Sequence, residues 1–344
     1  MEHLRYYFLL ACLGCLMAYN SCDTKPADNG TGNVGNTTVT PTKPKSQAPE
    51  FNADSAYAFV QKQVDFGPRV PGSDAHSACR NWLVSTLEGY ADKVISQEGS
   101  MPIYTGKQFK FTNIIASFNP EQGNRILLCA HWDTRPFADQ DKDPANHQTA
   151  IAGANDGGSG VGVLLEIARL LKSNPVNIGV DIVLFDLEDY GQPEFAKGPK
   201  QTDSYALGSQ YWSKNPHVPG YQAKYGILLD MVGAANSRFR IEGFSNQFAP
   251  SVVQKVWSTA NDLGFGSFFP MEMGPPIQDD HYYVNTLKGI PTVDIIHLEN
   301  NGYQTFHSSW HTMQDDMSVI DPTTLKAVGQ TVLTVVVRED KGEL

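Results

Sequence analysis

Glu188 and Asp189 stand side by side just past the run Asp181-Ile182-Val183-Leu184-Phe185-Asp186-Leu187. Four consecutive apolar residues between polar ends read as a buried strand, so the acidic pair emerges where that strand leaves the core. Neighbouring carboxylates there repel each other unless a cation or a shared proton offsets the repulsion. A metal ion is therefore the first chemistry to look for. The pattern recurs: Arg125 to Ala130 leads into His131-Trp132-Asp133, Tyr225 to Leu229 leads into Asp230, and Ile290 to Val293 leads into Asp294. A single acid at a strand end is an ordinary turn residue. Four such ends suggest a site, because ligands of open α/β sheets gather outside the carboxyl ends of the strands.

Three further stretches carry groups of the same kind. Gly153-Ala154-Asn155-Asp156-Gly157-Gly158-Ser159-Gly160 is a glycine-rich turn into a helix, but it lacks the lysine and the spacing of a phosphate loop. Its carboxylate, Asp156, suits a cation instead. Ile277-Gln278-Asp279-Asp280-His281 crowds two acids and an imidazole, and read alone it is equally a helix start capped by Asp279. Trp310-His311-Thr312 brings a late imidazole into a polar loop, where it completes a set of oxygen and nitrogen ligands. His297 and His307 read as ordinary loop histidines.

The elements that must position these groups follow an α/β alternation. Ala56, Phe59, Val60 and Val64 share one face of a helix for which Asp54 is the candidate cap, and Trp82, Leu83 and Leu87 belong to a second helix. Val94 to Ser117 read as two strands with a turn near Gly106. Helices follow through Leu164 to Leu171, after Asp203, from Pro250 to Leu263 and from Pro322 to Val337. The expectation is a single-domain α/β/α sandwich around a central mixed, mostly parallel sheet, spanning residues 51–344.

The 344 residues carry a net charge of −11 with 41% apolar content and a pI near 5.2. They give a substantial core and no basic footprint for nucleic acid. Residues 1–21 have the length and character of an export signal, Arg5 preceding an apolar run too short to span a bilayer. The run ends at Ala18-Tyr19-Asn20-Ser21-Cys22, which resembles a lipoprotein processing site with Cys22 acylated; a plain secretory cleavage nearby is the alternative. Residues 22–50 are rich in Gly, Asn, Thr, Pro and Lys and read as a solvated tether. The expected location is the periplasm or cell envelope, with membrane contact only through the lipid. Cys79 and Cys129 are expected as free thiols, Cys129 lying inside an apolar strand.

The series His131-x-Asp133, Asp156, Glu188-Asp189, Asp230 and His311 resembles the zinc aminopeptidases and glutaminyl cyclases that share one fold. The stretches Leu229 to Ala234, Ile277 to His281 and Trp310 to Thr312 resemble the cyclase branch. That resemblance implies one zinc per chain on Asp156, Asp189 and His311, with Glu188 as proton shuttle and Asp230 and Asp279 as hydrogen-bonding catalytic acids; among so many acids, those two are expected to share a proton. It also implies substrate contacts from Trp310, Ile277, Gln278 and Phe306, and peptides or proteins beginning in glutamine as substrates of a monomeric enzyme. Two departures stand out: Asp189 occupies a position held by glutamate in the animal enzymes, and the tryptophan that follows their acidic pair is absent. The insert Gly191 to Thr202 intervenes there and leaves open whether Phe195 replaces it.

The residue types support the same chemistry without the resemblance. Cyclising an amino-terminal glutamine needs one Lewis acid for the amide oxygen and one base for the attacking amine, and no activated water. The alternative is a two-zinc aminopeptidase in which His131 and Asp230 join the ligands, Asp156 bridges and Glu188 activates a metal-bound water. A peptide-binding lipoprotein without catalysis is a third class, which an intact Glu188 and a full ligand set disfavour.

Overall fold

Alternation of apolar side chains decides the layers. The computed structural model describes residues 45–300, 302 and 305–344, and residues Lys45–Leu344 form one compact unit. Cys22 and the expected signal segment lie outside the described residues. In chain order the elements are α1 (Ala53–Val64), α2 (Asp74–Glu88), β1 (Lys93–Pro102), β2 (Gln108–Phe118), β3 (Arg125–His131), α3 (Gly158–Ser173), β4 (Gly179–Phe185) and α4 (Leu207–Lys214). There follow β5 (Gly226–Asp230), α5 (Gly243–Phe248), α6 (Pro250–Asp262), α7 (Asp280–Tyr283), β6 (Thr292–Ile296) and α8 (Pro322–Asp340).

The six strands lie in the order β1-β2-β4-β3-β5-β6. β1, β2 and β4 pair antiparallel, and β4, β3, β5 and β6 run parallel. Ile126, Leu128, Ala130, Ile182, Leu184, Ile227 and Leu229 face the cluster that includes residues of α1, α2, α3, α6 and α8. Leu127, Cys129, Val183, Phe185 and Leu228 face the opposite side, against Trp212 of α4. This is the expected mixed, mostly parallel α/β/α sandwich. Both central strands β3 and β4 are buried along their whole length, which is why they read as unbroken apolar runs.

Connectivity places the site. The chain passes from β3 through α3 to β4 on one side, then returns past β3 through α4 to β5, with α3 and α4 on opposite faces. A crossover helix must change face when the direction of travel reverses, since the connection stays right-handed. The two crossovers therefore diverge and leave a crevice at the carboxyl ends of β3, β4 and β5.

Several sequence expectations change at this level. Asn52, not Asp54, caps α1, accepting from Ser55 N at 3.0 Å; a cap must sit outside the helix, and Asp54 already lies in its first turn. Residues 45–50, expected within the tether, are held against the domain: Ser46 donates to Glu343, and the Pro49 carbonyl accepts from Gln330. Asp294 does not tip a strand. It lies inside β6, fully buried, because the strand begins at Thr292 and continues two residues beyond it. Cys79 and Cys129 are free and buried, as expected.

One polar centre braces the far end of the sheet. Asp181 accepts from Arg125 Nε at 2.5 Å and Nη2 at 2.9 Å, from Ser117 Oγ at 2.6 Å and from Tyr221 Oη at 2.7 Å. Breaking a buried pair from one side strands the other charge, at a cost on the order of 3–5 kcal/mol. Asp181→Ala is expected to lower the urea midpoint accordingly without changing the metal content. A midpoint equal to the parent's would show that this centre does not brace the sheet.

Candidate active site

Segments separated by up to 180 residues, from His131 to His311, meet in the crevice. Asp156 ends the glycine-rich turn ahead of α3. Buried Arg69 holds that turn, donating to the carbonyls of Ala152 and Gly153 at 2.6 Å each and of Trp132 at 3.2 Å. The carboxylate of Asp315 accepts from Asn155 N at 2.8 Å and Asp156 N at 3.1 Å. Gly157 is required by close approach, because a Cβ there would stand 2.6 Å from His131 Nε2. The turn is tied to the segment after β5 as well: Ser159 Oγ accepts from Val232 N and Asn155 Oδ1 from Gly233 N.

The acidic pair leaves β4 through Leu187, whose φ is +58°. Asp133 straps this turn, its two oxygens accepting from Glu188 N at 3.0 Å and Asp189 N at 3.1 Å. Arg135 donates to both the backbone and the side chain of Asp189, at 3.1 and 3.3 Å, and pairs with Asp139 at 2.7 Å. Asp139 in turn faces His311 Nδ1 at 3.5 Å. A carboxylate on one ring nitrogen leaves the other turned toward the site. His311 Nε2 lies 3.2 Å from Asp189 Oδ1 and 3.7 Å from Asp156 Oδ2, and the Trp310 ring stacks on His311 at 3.8 Å.

These residues fit a metal ion. Asp156, Asp189 and His311 are all buried, with one ligand atom each within 4.8 Å of the others. Asp189 Oδ2 is buried without a hydrogen-bond partner, as expected of an oxygen meant for a cation. His131, Asp156 and Asp230 form a second such group. His131 Nε2 stands 3.0 Å from Asp156 and 3.1 Å from Asp230, and the surrounding acids Asp133, Asp156 and Asp230 outweigh the burial that would lower its pKa. The same nitrogen is placed to donate to either carboxylate.

The remaining groups line a cavity of about 230 Å³ with Glu188, Asp230 and Asp279 on its polar side and Ile277, Phe306 and Trp310 on its apolar side. Burial, with the neighbouring Asp279, Asp189 and Asp280, pushes the Glu188 carboxyl well up. Burial raises Asp230 to about 7, with Asp156 and Asp279 adding to it. Asp279 caps α7, accepting from Asp280 N, and also lines the cavity. Gln278 also lines the cavity, and its amide is tied to Tyr283 and Asp203. Phe195 does not replace the absent tryptophan: it is 42% exposed against Phe137, outside the cavity. Tyr205, three residues past the insert, lines the cavity, its ring passing so close to Gly191 that no side chain fits there. His297 and His307 face each other away from the ligand groups, as ordinary loop residues do.

Sequence reasoning missed Tyr205, Arg135, Asp139 and Asp315, and left Asp133 without a role. Asp133 had a signal in its place two residues after His131; Asp315, in a loop near the end of the chain, had none. Asp133→Ala leaves two buried N–H groups unpaired and frees the acidic turn. It is expected to weaken zinc affinity about 10–100-fold, read by chelator competition; unchanged affinity in a folded variant would remove Asp133 from the site's support.

A profile described as peptidase family M28 matches residues 113–336. The structure resembles that of Bacteroides thetaiotaomicron glutaminyl cyclase bound to N-acetylhistamine, at 52% identity with a TM-score of 0.83, covering 84% of this chain and 99% of that one. A Zn-dependent exopeptidase from Parabacteroides distasonis matches with the same identity, TM-score and coverage. Glutaminyl-peptide cyclotransferase from Bothrops jararaca is 25% identical over 300 residues, 79% of this chain and 77% of that protein. With its glycine-rich turn, acid-tipped strands and late histidine converging on one crevice, the chain belongs to peptidase family M28, in the branch that holds the bacterial glutaminyl cyclases.

Proposed function

We propose that this protein is a zinc-dependent glutaminyl-peptide cyclotransferase, converting the amino-terminal glutamine of exported peptides and proteins to pyroglutamate with release of ammonia. The observation that carries the proposal is the division of the cavity: ligand groups Asp156, Asp189 and His311 on one side, Glu188 and Asp279 on another, and an apolar wall of Trp310, Phe306 and Ile277. A two-metal peptidase has no need of Asp279, whose carboxylate enters the same small cavity.

In this reading Asp156, Asp189 and His311 hold one zinc per chain, which when bound supplies Lewis acidity toward the side-chain amide oxygen. Trp310 and Phe306, with ring centroids 4.7 Å apart, keep water from the chain that must fold back on itself. The substrate's α-amine attacks its own amide carbon, forming the ring C–N bond. Glu188 takes a proton from that amine and returns it to the departing nitrogen as the C–NH₂ bond breaks, so ammonia leaves and the enzyme is unchanged. A carboxyl raised by burial is a stronger base than an exposed one, which suits it to accept the amine's proton. Asp230 and Asp279 orient the amine and hold the charge of the site.

The amino-terminal signals support export, with Cys22 as the acylated residue and residues 23–44 as the tether. No helix among the described residues is long and apolar enough to cross a membrane. A monomer is proposed, the cavity being complete within one chain.

Glu188→Gln is expected to keep its zinc and lose roughly 10²–10⁴-fold in kcat, with normal turnover refuting the shuttle role. Metal analysis is expected to return one zinc per chain, and chelation to abolish turnover. Mass measurement on glutamine-initiated peptides decides the reaction. Loss of one ammonia supports cyclisation, and release of the first residue supports the peptidase.

A further inference from the structure

One polar group at the cavity mouth takes its direction from outside the reacting centre. Glu188, Asp230 and Asp279 are buried, whereas Gln278, next to Asp279 in the chain, lines the same cavity and is exposed. Its amide is pinned in a closed triangle of hydrogen bonds. Gln278 Nε2 donates to Tyr283 Oη at 2.7 Å and to Asp203 Oδ1 at 3.0 Å, and Tyr283 Oη donates to the same Asp203 oxygen at 3.0 Å.

Asp203 is itself held in place. It follows directly on the insert, and its backbone carbonyl accepts at 3.1 Å from Gln210 Nε2 of α4, the nitrogen that also reaches the carbonyl of Tyr205 at 2.9 Å. Tyr283 belongs to α7 and is buried. The Asp203 carboxylate thereby links the segment that carries Tyr205 to the one that carries Gln278 and Asp279.

This triangle decides which end of the Gln278 amide is left for a ligand. A tyrosine hydroxyl both donates and accepts, so beside Tyr283 alone the amide is satisfied either way round. A carboxylate only accepts, so Asp203 obliges the amide to turn its nitrogen inward. Both hydrogens of that nitrogen are then spent, one on Asp203 and one on Tyr283. What remains is Oε1, an acceptor.

A bound peptide has one donor to match it. For the ring to close, the α-amine and the side-chain amide of the terminal glutamine must both reach the buried groups around Glu188. The part of the chain left at the mouth is then the first carbonyl and the N–H of the second residue. A carbonyl offers Oε1 nothing, whereas the N–H pairs with it. We propose that Asp203 is a specificity-determining positioning residue: by holding Gln278 with its oxygen free, it makes the mouth an acceptor for the peptide N–H that follows the terminal glutamine, and so selects chains joined through an amide. The inference deepens the cyclase reading and rests on it.

Glutamine N-methylamide carries that N–H, and glutamine methyl ester has an oxygen in its place. The ratio of their kcat/KM values, read by ammonia release, isolates the contact. Asp203→Ala and Gln278→Leu should each lower the amide-over-ester ratio about 3–10-fold, the range of one hydrogen bond between neutral groups, with zinc content unchanged. The double variant should fall no further than either single one, because Asp203 acts through Gln278. Asp203→Asn, whose Oδ1 still accepts, should restore most of the parent's ratio. Both side chains are exposed, so these substitutions leave the core intact, and a general loosening of the mouth would lower both rates while leaving their ratio where it was. An unchanged ratio in either single variant, losses that add in the double variant, or an Asn as damaging as Ala overturns the inference. A parent that releases no ammonia from either compound sinks the cyclase reading instead. Calorimetric binding of the same two compounds to Glu188→Gln, with and without Asp203→Ala, then decides the role of Asp203: a preference for the amide that Ala removes upholds it, and a preference that Ala leaves intact, or none at all, overturns it.

Discussion

Too many carboxylates and too few cations in one dry place is the constraint on which this structure turns. Asp133, Asp156, Glu188, Asp189, Asp230, Asp279, Asp280 and Asp294 are all buried around the carboxyl ends of the parallel strands. Each would be expensive alone, because burial penalises the charged form and neighbouring acids add to the penalty. The fold meets that cost in three ways. Backbone N–H groups satisfy Asp133 and Asp315, buried side-chain cations or imidazoles satisfy Asp139, Asp156 and Asp230, and Asp189 keeps an oxygen for an ion. Their arrangement separates support from chemistry.

Arg135 illustrates how support is shared. Its guanidinium fixes Asp139, which orients His311, and also fixes Asp189, which stands 3.2 Å from His311. One planar fork thereby sets the spacing of two candidate ligands 122 positions apart in the chain. Asp189 is one methylene shorter than the glutamate of the animal enzymes, and the double hold of Arg135 on its backbone and side chain keeps that shorter arm in place. The apolar wall is equally local in its cause: Gly191 lets the insert turn tightly enough to bring Tyr205 to the cavity and leaves Phe195 outside.

The two readings of the metal centre differ in what neutralises Asp156 and Asp230. His131 stands between them, within hydrogen-bond reach of both. An imidazole there can donate to either acid, whereas a second ion would take both acids and the imidazole as its ligands.

Much of this was legible in the chain because period and residue type carry local information. The apolar runs of β3, β4 and β5 and the groups at their ends, His131, Glu188, Asp189 and Asp230, could be read directly, and the position of Asp156 followed from its glycine-rich turn. A parallel sheet forces such ends to one edge, so their convergence was also inferable. Asp294 shows the limit: a strand that begins two residues late moves an acid from the edge to the interior, and local pattern does not fix where pairing starts. Tyr205, Asp133, Arg135 and Asp315 were decided by tertiary structure alone. Their roles depend on contacts such as Asp315 with Asp156 or Asp133 with Glu188, across 159 and 55 residues, and on which carboxylate a backbone amide reaches first. Sequence period determines the face a side chain takes; only the packed chain determines its distance from groups on other elements.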